Sequence, residues 1–76
     1  MEQKISEILK VMHPEAEVTG DISLVDDGIL DSLDIVTLVT ELNAIFDVSI
    51  PAVEILPTNF NSVAAIAAMI ERLEDV

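Results

Sequence analysis

Ser32 is the side chain of this sequence best placed to be a site of chemistry. It stands in Gly28-Ile-Leu-Asp-Ser-Leu-Asp34, directly ahead of an apolar run of helical period. The first N–H groups of a helix have no intrahelical acceptor and lie at the positive end of its dipole, so an anion at that mouth, a phosphate above all, is favoured. Asp31 and Asp34 oppose that field with two carboxylates. By spacing alone, a first-turn or capping serine is the commoner use of such a residue. Hydrolytic chemistry at Ser32 lacks its partners. His13 is the only histidine, and there is no Gly-x-Ser-x-Gly elbow and no recognisable oxyanion loop. No catalysis by the chain itself is expected. His13, closing the first amphipathic segment, fits a C-terminal capping cation. Asp26, Asp27, Asp31 and Asp34 do not follow the ligand offsets of a calcium loop. They read as solvated loop and capping carboxylates, and no dedicated metal site is expected.

The elements that must position Ser32 are separable by period and punctuation. Ile5, Ile8, Leu9 and Met12 follow the i, i+3, i+4, i+7 spacing of a one-sided helix over about residues 2 to 12. His13-Pro14 ends it, since proline disfavours helical geometry in the residue before it. A long loop follows to about Leu30, a length that is unusual unless the loop is functional or pinned by apolar side chains. Val18, Ile22, Leu24, Val25, Ile29 and Leu30 are the candidates for that pinning. The second helix is predicted over about Ser32 to Phe46, with Asp31 as N-cap and Asp34 at the third helical position, a relative of the capping box. A short helical turn is predicted over about Ala52 to Leu56, between Pro51 and Pro57. The last helix is predicted to start after Asn61 as N-cap, with Val63, Ile66, Ala67, Ile70 and Leu73 as its stripe. No useful alternating pattern occurs, so the expected fold is all-α: three main helices and one short one around a single core, residues 1–76 forming one domain.

The second helix has more apolar surface than folding requires. Ile35, Leu38, Val39, Leu42 and Phe46 form a core stripe, while Leu33, Val36, Thr37, Thr40 and Ala44 lie on another face and Asp34 and Glu41 share an edge. A spare apolar face beside charge has the makeup of a transient docking site. Asp31, Leu33, Asp34, Val36 and Glu41 are therefore the candidate partner contacts. The other account of Leu33 and Val36 is burial under the short helix.

Composition removes several classes of function. Fifteen Asp and Glu against three Lys and Arg give a net charge of −12 in 76 residues. That balance opposes nucleic acid and anionic membranes and favours basic protein surfaces, with encounter weakened by salt. The same self-repulsion predicts a melting temperature that rises with ionic strength. The chain has no cysteine and two aromatic residues, Phe46 and Phe60, which excludes disulfides, thiolate zinc sites and base-stacking platforms. No apolar run reaches the ~18 residues of a membrane span and no signal-peptide core is evident, so a cytoplasmic protein is expected, and a monomer is expected as well.

Asp-Ser-Leu-Asp opening a helix in the middle of an acidic, cysteine-free, four-segment chain, followed by Asn-Phe-Asn-Ser-Val, resembles the acyl carrier protein family in its broad sense, with its peptidyl and D-alanyl carriers. The resemblance implies an acyl-carrier-like helical bundle. It also implies that 4′-phosphopantetheine is attached covalently to Ser32 by a magnesium-dependent phosphopantetheinyl transferase (holo-carrier synthase) using coenzyme A. Acyl or aminoacyl groups are then held as thioesters on its thiol, and loading and transferring enzymes with basic docking patches are the partners. Fatty-acid members usually carry Glu where Thr37 stands, and further acids where Asn43, Ala44 and Ile45 stand. Ile29-Leu30 before Asp31-Ser32 is similar to the Leu-Asp-Ser form of aminoacyl and specialised-pathway carriers. The expectation leans to a dedicated pathway over general fatty-acid biosynthesis. The competing reading is an unmodified acidic helical adaptor that docks a basic partner.

Overall fold

The computed structural model describes residues 1–16 and 23–74. Among these the chain forms helices α1 (Glu2–Met12), α2 (Ser32–Phe46), α3 (Pro57–Phe60) and α4 (Val63–Glu74), with a 3₁₀ turn at Ala52–Glu54 before α3. α1 packs on α4 and α2, and α3 packs on α4.

α1 and α2 run over the residues that period and capping predict. α1 buries Ile5, Ile8 and Leu9. It ends where Pro14 drives His13 to φ −135°, the His13 N–H still closing on the Leu9 carbonyl at 2.8 Å. α2 buries Leu38 and Leu42 fully, with Ile35, Val39 and Phe46 partly covered. It stops at Asp47, whose left-handed φ of 53° is one that a short polar side chain tolerates.

Two expectations are corrected in the second half. The short helical turn over 52–56 is only the 3₁₀ turn at Ala52–Glu54, and the α-helical turn begins at Pro57, the residue expected to fence it. Proline at a first helical position costs no hydrogen bond, so Pro57 starts an element instead of stopping one. Asn61 is not the N-cap of the last helix. Ser62 takes that place, its Oγ accepting the Ala65 N–H at 3.0 Å and its carbonyl accepting the Ile66 N–H at 3.1 Å.

The core is aliphatic around one ring. Phe60 is fully buried, with Ile5, Leu9, Leu24, Leu38, Leu42, Ile66, Met69 and Ile70. Phe46, the ring expected to be core, only packs against its edge. The α4 stripe is buried as predicted at Val63, Ile66, Ala67 and Ile70, Met69 joins it, and Leu73 is half-covered.

The loop ahead of α2 is pinned through Leu24, which is fully buried, and Leu30, with Val25 and Ile29 packed beside them. Val18 and Ile22 lie outside the described residues. The Leu24 carbonyl accepts from both the Ile29 and Leu30 N–H groups at 2.9 Å, which turns the chain through Gly28 at φ +78°. Only glycine reaches that φ without strain. This turn delivers the chain to the start of α2.

Candidate functional site

The start of α2 is built by a reciprocal cap. Asp31, extended at φ −100° and ψ −174°, accepts the Asp34 N–H on Oδ1 at 2.9 Å. Asp34 Oδ2 accepts the Asp31 N–H at 3.3 Å. Two donors that a helix start leaves without partners are thus satisfied by carboxylates, which the dipole also favours there. Asp31 therefore performs the capping that a serine at this point often performs. Ser32, one residue on, is exposed, and among the described residues nothing hydrogen-bonds its hydroxyl. Its N–H and that of Leu33 likewise have no acceptor among the described residues. The mouth of α2 therefore offers an exposed alcohol beside two open backbone donors, the arrangement that suits an attached phosphate.

A third group enters from α1. His13 Nε2 lies 2.9 Å from Asp34 Oδ2, and His13 Nδ1 lies 3.3 Å from Glu15 Oε1. The His13 side chain is therefore not simply the capping cation of its own helix. Its backbone makes the cap while the ring bridges to α2. The Asp34 hydrogen bond, with a smaller contribution from Glu15, outweighs desolvation and holds the imidazole above its ordinary pKa of 6.5. Glu15 is held below the usual carboxylate value, first by a backbone hydrogen bond and then by His13.

The other predicted positions separate into two groups. Leu33 and Val36 are 77% and 60% exposed, so no element among the described residues covers this face of α2. Asp31 and Glu41 are exposed as well. Asp34 differs: it is half-buried and engaged by the cap and by His13. Glu41 faces an open groove of about 470 Å³ between α1 and α2, floored by Ile8, Val11, Met12 and Ile45. That groove does not include Ser32.

The part Asn61 plays in holding the loop before this site was not legible in the sequence, nor was the exposure of the segment 53–56. Asn61 Oδ1 accepts the Val25 and Asp26 N–H groups at 2.9 and 3.1 Å, and the Asn61 carbonyl accepts the Leu24 N–H at 2.8 Å. It ties the loop that feeds Ser32 to the α3–α4 junction. Val53, Ile55 and Leu56 are exposed at 77%, 38% and 49%. The signal for them was three large aliphatics in a segment too short for a helical stripe.

Known proteins are similar to this chain in sequence and fold. The D-alanyl carrier protein of Lactococcus lactis subsp. lactis (strain IL1403) is 31% identical over 77 residues, covering 99% of this chain and 98% of that protein. Aminoacyl carrier protein 1 of Bradyrhizobium diazoefficiens is 46% identical over 55 residues, 72% of this chain and 60% of that protein. Among solved structures, the glycylated carrier protein in complex with Bradyrhizobium japonicum glycine:[carrier protein] ligase superposes with a TM-score of 0.67 at 40% identity, covering 90% of both chains. The carrier in a second complex of that ligase, with an analogue of glycyl adenylate, gives 0.70 at 38% identity over 93% of this chain and 91% of that one. Residues 1–70 match the phosphopantetheine attachment site family. The chain therefore belongs to that family and is a carrier protein of the phosphopantetheine type.

Proposed function

We propose that this chain carries aminoacyl groups on a 4′-phosphopantetheine arm attached to Ser32, serving a dedicated pathway rather than general fatty-acid synthesis. The observation that carries the reading is the division of labour at the start of α2. Asp31 caps the helix, so Ser32 keeps an exposed hydroxyl with no other task. Its surroundings fit the group, since the N–H groups of Ser32 and Leu33 have no acceptor among the described residues and a helix mouth favours an anion. When bound, the arm supplies the thiol that a cysteine-free chain lacks, and with it thioester chemistry. The chain's own part is to hold one end of the arm on a rigid helix, which keeps a cargo at high effective concentration for a docked enzyme. Loading and transfer chemistry then belong to the partners.

The aminoacyl assignment is supported by relatives that are D-alanyl and aminoacyl carriers, and by a solved relative that carries glycine. The absence of Glu at Thr37 and the Ile29-Leu30-Asp31-Ser32 sequence point the same way. Leu33 and Val36, with Asp31 and Glu41 beside them, form the surface offered to the transferase and to loading enzymes. A small apolar patch with charge at its rim gives fast, salt-sensitive encounter and quick release, which repeated hand-over needs.

Intact mass after incubation with coenzyme A, magnesium and a phosphopantetheinyl transferase tests the attachment. The expected result is a gain of the mass of the arm in the wild type and none in Ser32→Ala. A gain that survives Ser32→Ala, or no gain with several transferases, overturns it. Loading of the modified chain by an amino-acid:carrier ligase supplied with glycine or D-alanine, and not by a fatty-acyl-loading enzyme, tests the cargo class.

A further inference from the structure

The imidazole of His13 has a carboxylate on each ring nitrogen: Glu15 at 3.3 Å on Nδ1 and Asp34 at 2.9 Å on Nε2. A neutral ring has a single N–H and would set a lone pair against one of the two carboxylates, so the geometry calls for the imidazolium. His13 and Asp34 are only 23% and 26% exposed, whereas Glu15 is 74% exposed. When the ring loses a proton, Glu15 is free to swing into water, while the half-buried Asp34 keeps the remaining N–H. Asp34 is in turn one half of the cap at Asp31, immediately before Ser32. The groups facing the ring are thus Glu15 on the segment after α1, Asp34 on α2 and, through Asp34, Asp31. α1 itself brings Lys10 in its last turn.

We propose that His13 is a positioning residue for the reaction at Ser32: its imidazolium steadies Asp34 in the cap and offsets that carboxylate's charge at the mouth of α2, so the field at Ser32 changes with a single proton on the ring. The inference rests on Ser32 being the attachment site. An incoming phosphate is repelled by Asp31, Asp34 and Glu15, and among the groups in this cluster only His13 opposes them. Protonation lifts the cluster from three uncompensated negative charges to two, close enough to a helix terminus to be felt within its first turn. The Asp34 hydrogen bond is also the chief cause that raises the ring's pKa from its ordinary 6.5.

The test uses the full chain without its arm, as wild type, His13→Gln and His13→Lys, with circular dichroism confirming the fold at each pH. In ¹H–¹⁵N spectra between about pH 5.5 and 8.5, the histidine titration range, the amides of Ser32, Leu33 and Asp34 should inflect with the midpoint of the His13 ring. The inflection should vanish in both variants. Rates of arm transfer are then read as the ratio of variant to wild type at each pH, which cancels the transferase's own titration. His13→Gln should be slower by about two- to fivefold at the acid end, the size of a charge at a helix terminus, and should approach the wild type at the alkaline end. His13→Lys, which keeps a cation, should hold its rate across the range. Amides that do not inflect, an inflection that persists in His13→Gln, or a ratio flat with pH overturns the proposal. A wild type that gains no arm sinks the Ser32 assignment instead, and the amide titration still decides whether His13 governs the cap.

Discussion

Asn61 and Asp26, 35 positions apart in the chain, meet at 3.1 Å, the Asn61 amide donating to the Asp26 carboxylate. With its other amide atom Asn61 accepts the Val25 and Asp26 N–H groups. One side chain therefore satisfies two backbone donors of the loop that leads to Ser32, while its own carbonyl takes a third, from Leu24. Asn61→Ala should cost about 0.5–1.5 kcal/mol, the net worth of a hydrogen bond, because water can reach at least the Asp26 N–H it leaves free. Urea unfolding measures the loss. Faster amide exchange confined to Val25 and Asp26 would locate it.

The two phenylalanines should separate sharply in stability. Phe60 has no exposed surface and sits among aliphatic neighbours from α1, α2 and α4, so Phe60→Ala should cost about 3–5 kcal/mol, a large share of a small domain's total. Phe46 lies at the edge of the core, where a truncated site collapses more easily, and Phe46→Ala should cost less than about 3 kcal/mol. Equal losses in denaturant unfolding would contradict this placement.

Stability should also depend on His13. Its folded-state pKa is raised, first by the hydrogen bond to Asp34, so the pairing contributes fully below the unfolded value of 6.5. The contribution fades as pH climbs from 6.5 through the higher folded-state value. The difference in melting temperature between wild type and His13→Gln should be positive at acid pH within the histidine range and should shrink at mildly alkaline pH. Growth of the difference on the alkaline side would mean that the neutral ring is the one the fold prefers.

The exposed face of α2 should matter to partners and not to folding. Leu33→Gln and Glu41→Lys remove surface contacts without touching the core, so each should change stability by less than about 0.5 kcal/mol. Each should lower kcat/KM for loading about three- to tenfold, the cost of losing a modest interface contact. The Glu41→Lys variant should in addition show a weaker salt dependence than the wild type, since a rim charge acts on encounter. Unfolding of either variant, or loading at the wild-type rate, would move the docking surface elsewhere.

Local chemistry was legible and long-range polar chemistry was not. α1 and α2 have the residue ranges that apolar period predicts, because α1 needs only its own stripe and the proline after it, and α2 its own stripe and cap. The Asp31–Asp34 cap could be read since its partners are three residues apart. Asn61 looks like a helix cap on local grounds, yet its partners lie in the loop before α2 and the neighbouring Ser62 does the capping. Nothing in the spacing of His13 and Asp34, 21 residues apart, foretells that α1 packing on α2 brings them together. Phe46 was read as a core ring and lies at the core's edge, while Phe60, for which the sequence offered no placement, is the buried one, because α3 begins at a proline that reads as a stop.

The glycine that turns the loop into α2 has open space where a Cβ would stand, with nothing within 4 Å, while its φ is +78°. Position 28 therefore refuses an angle and not a volume. Replacements there should rank by their ease in the left-handed basin, asparagine and aspartate ahead of alanine and the β-branched residues last, whatever their size. A bulky tag on a left-handed-tolerant residue would sit beside the docking end of the molecule and leave the interior untouched.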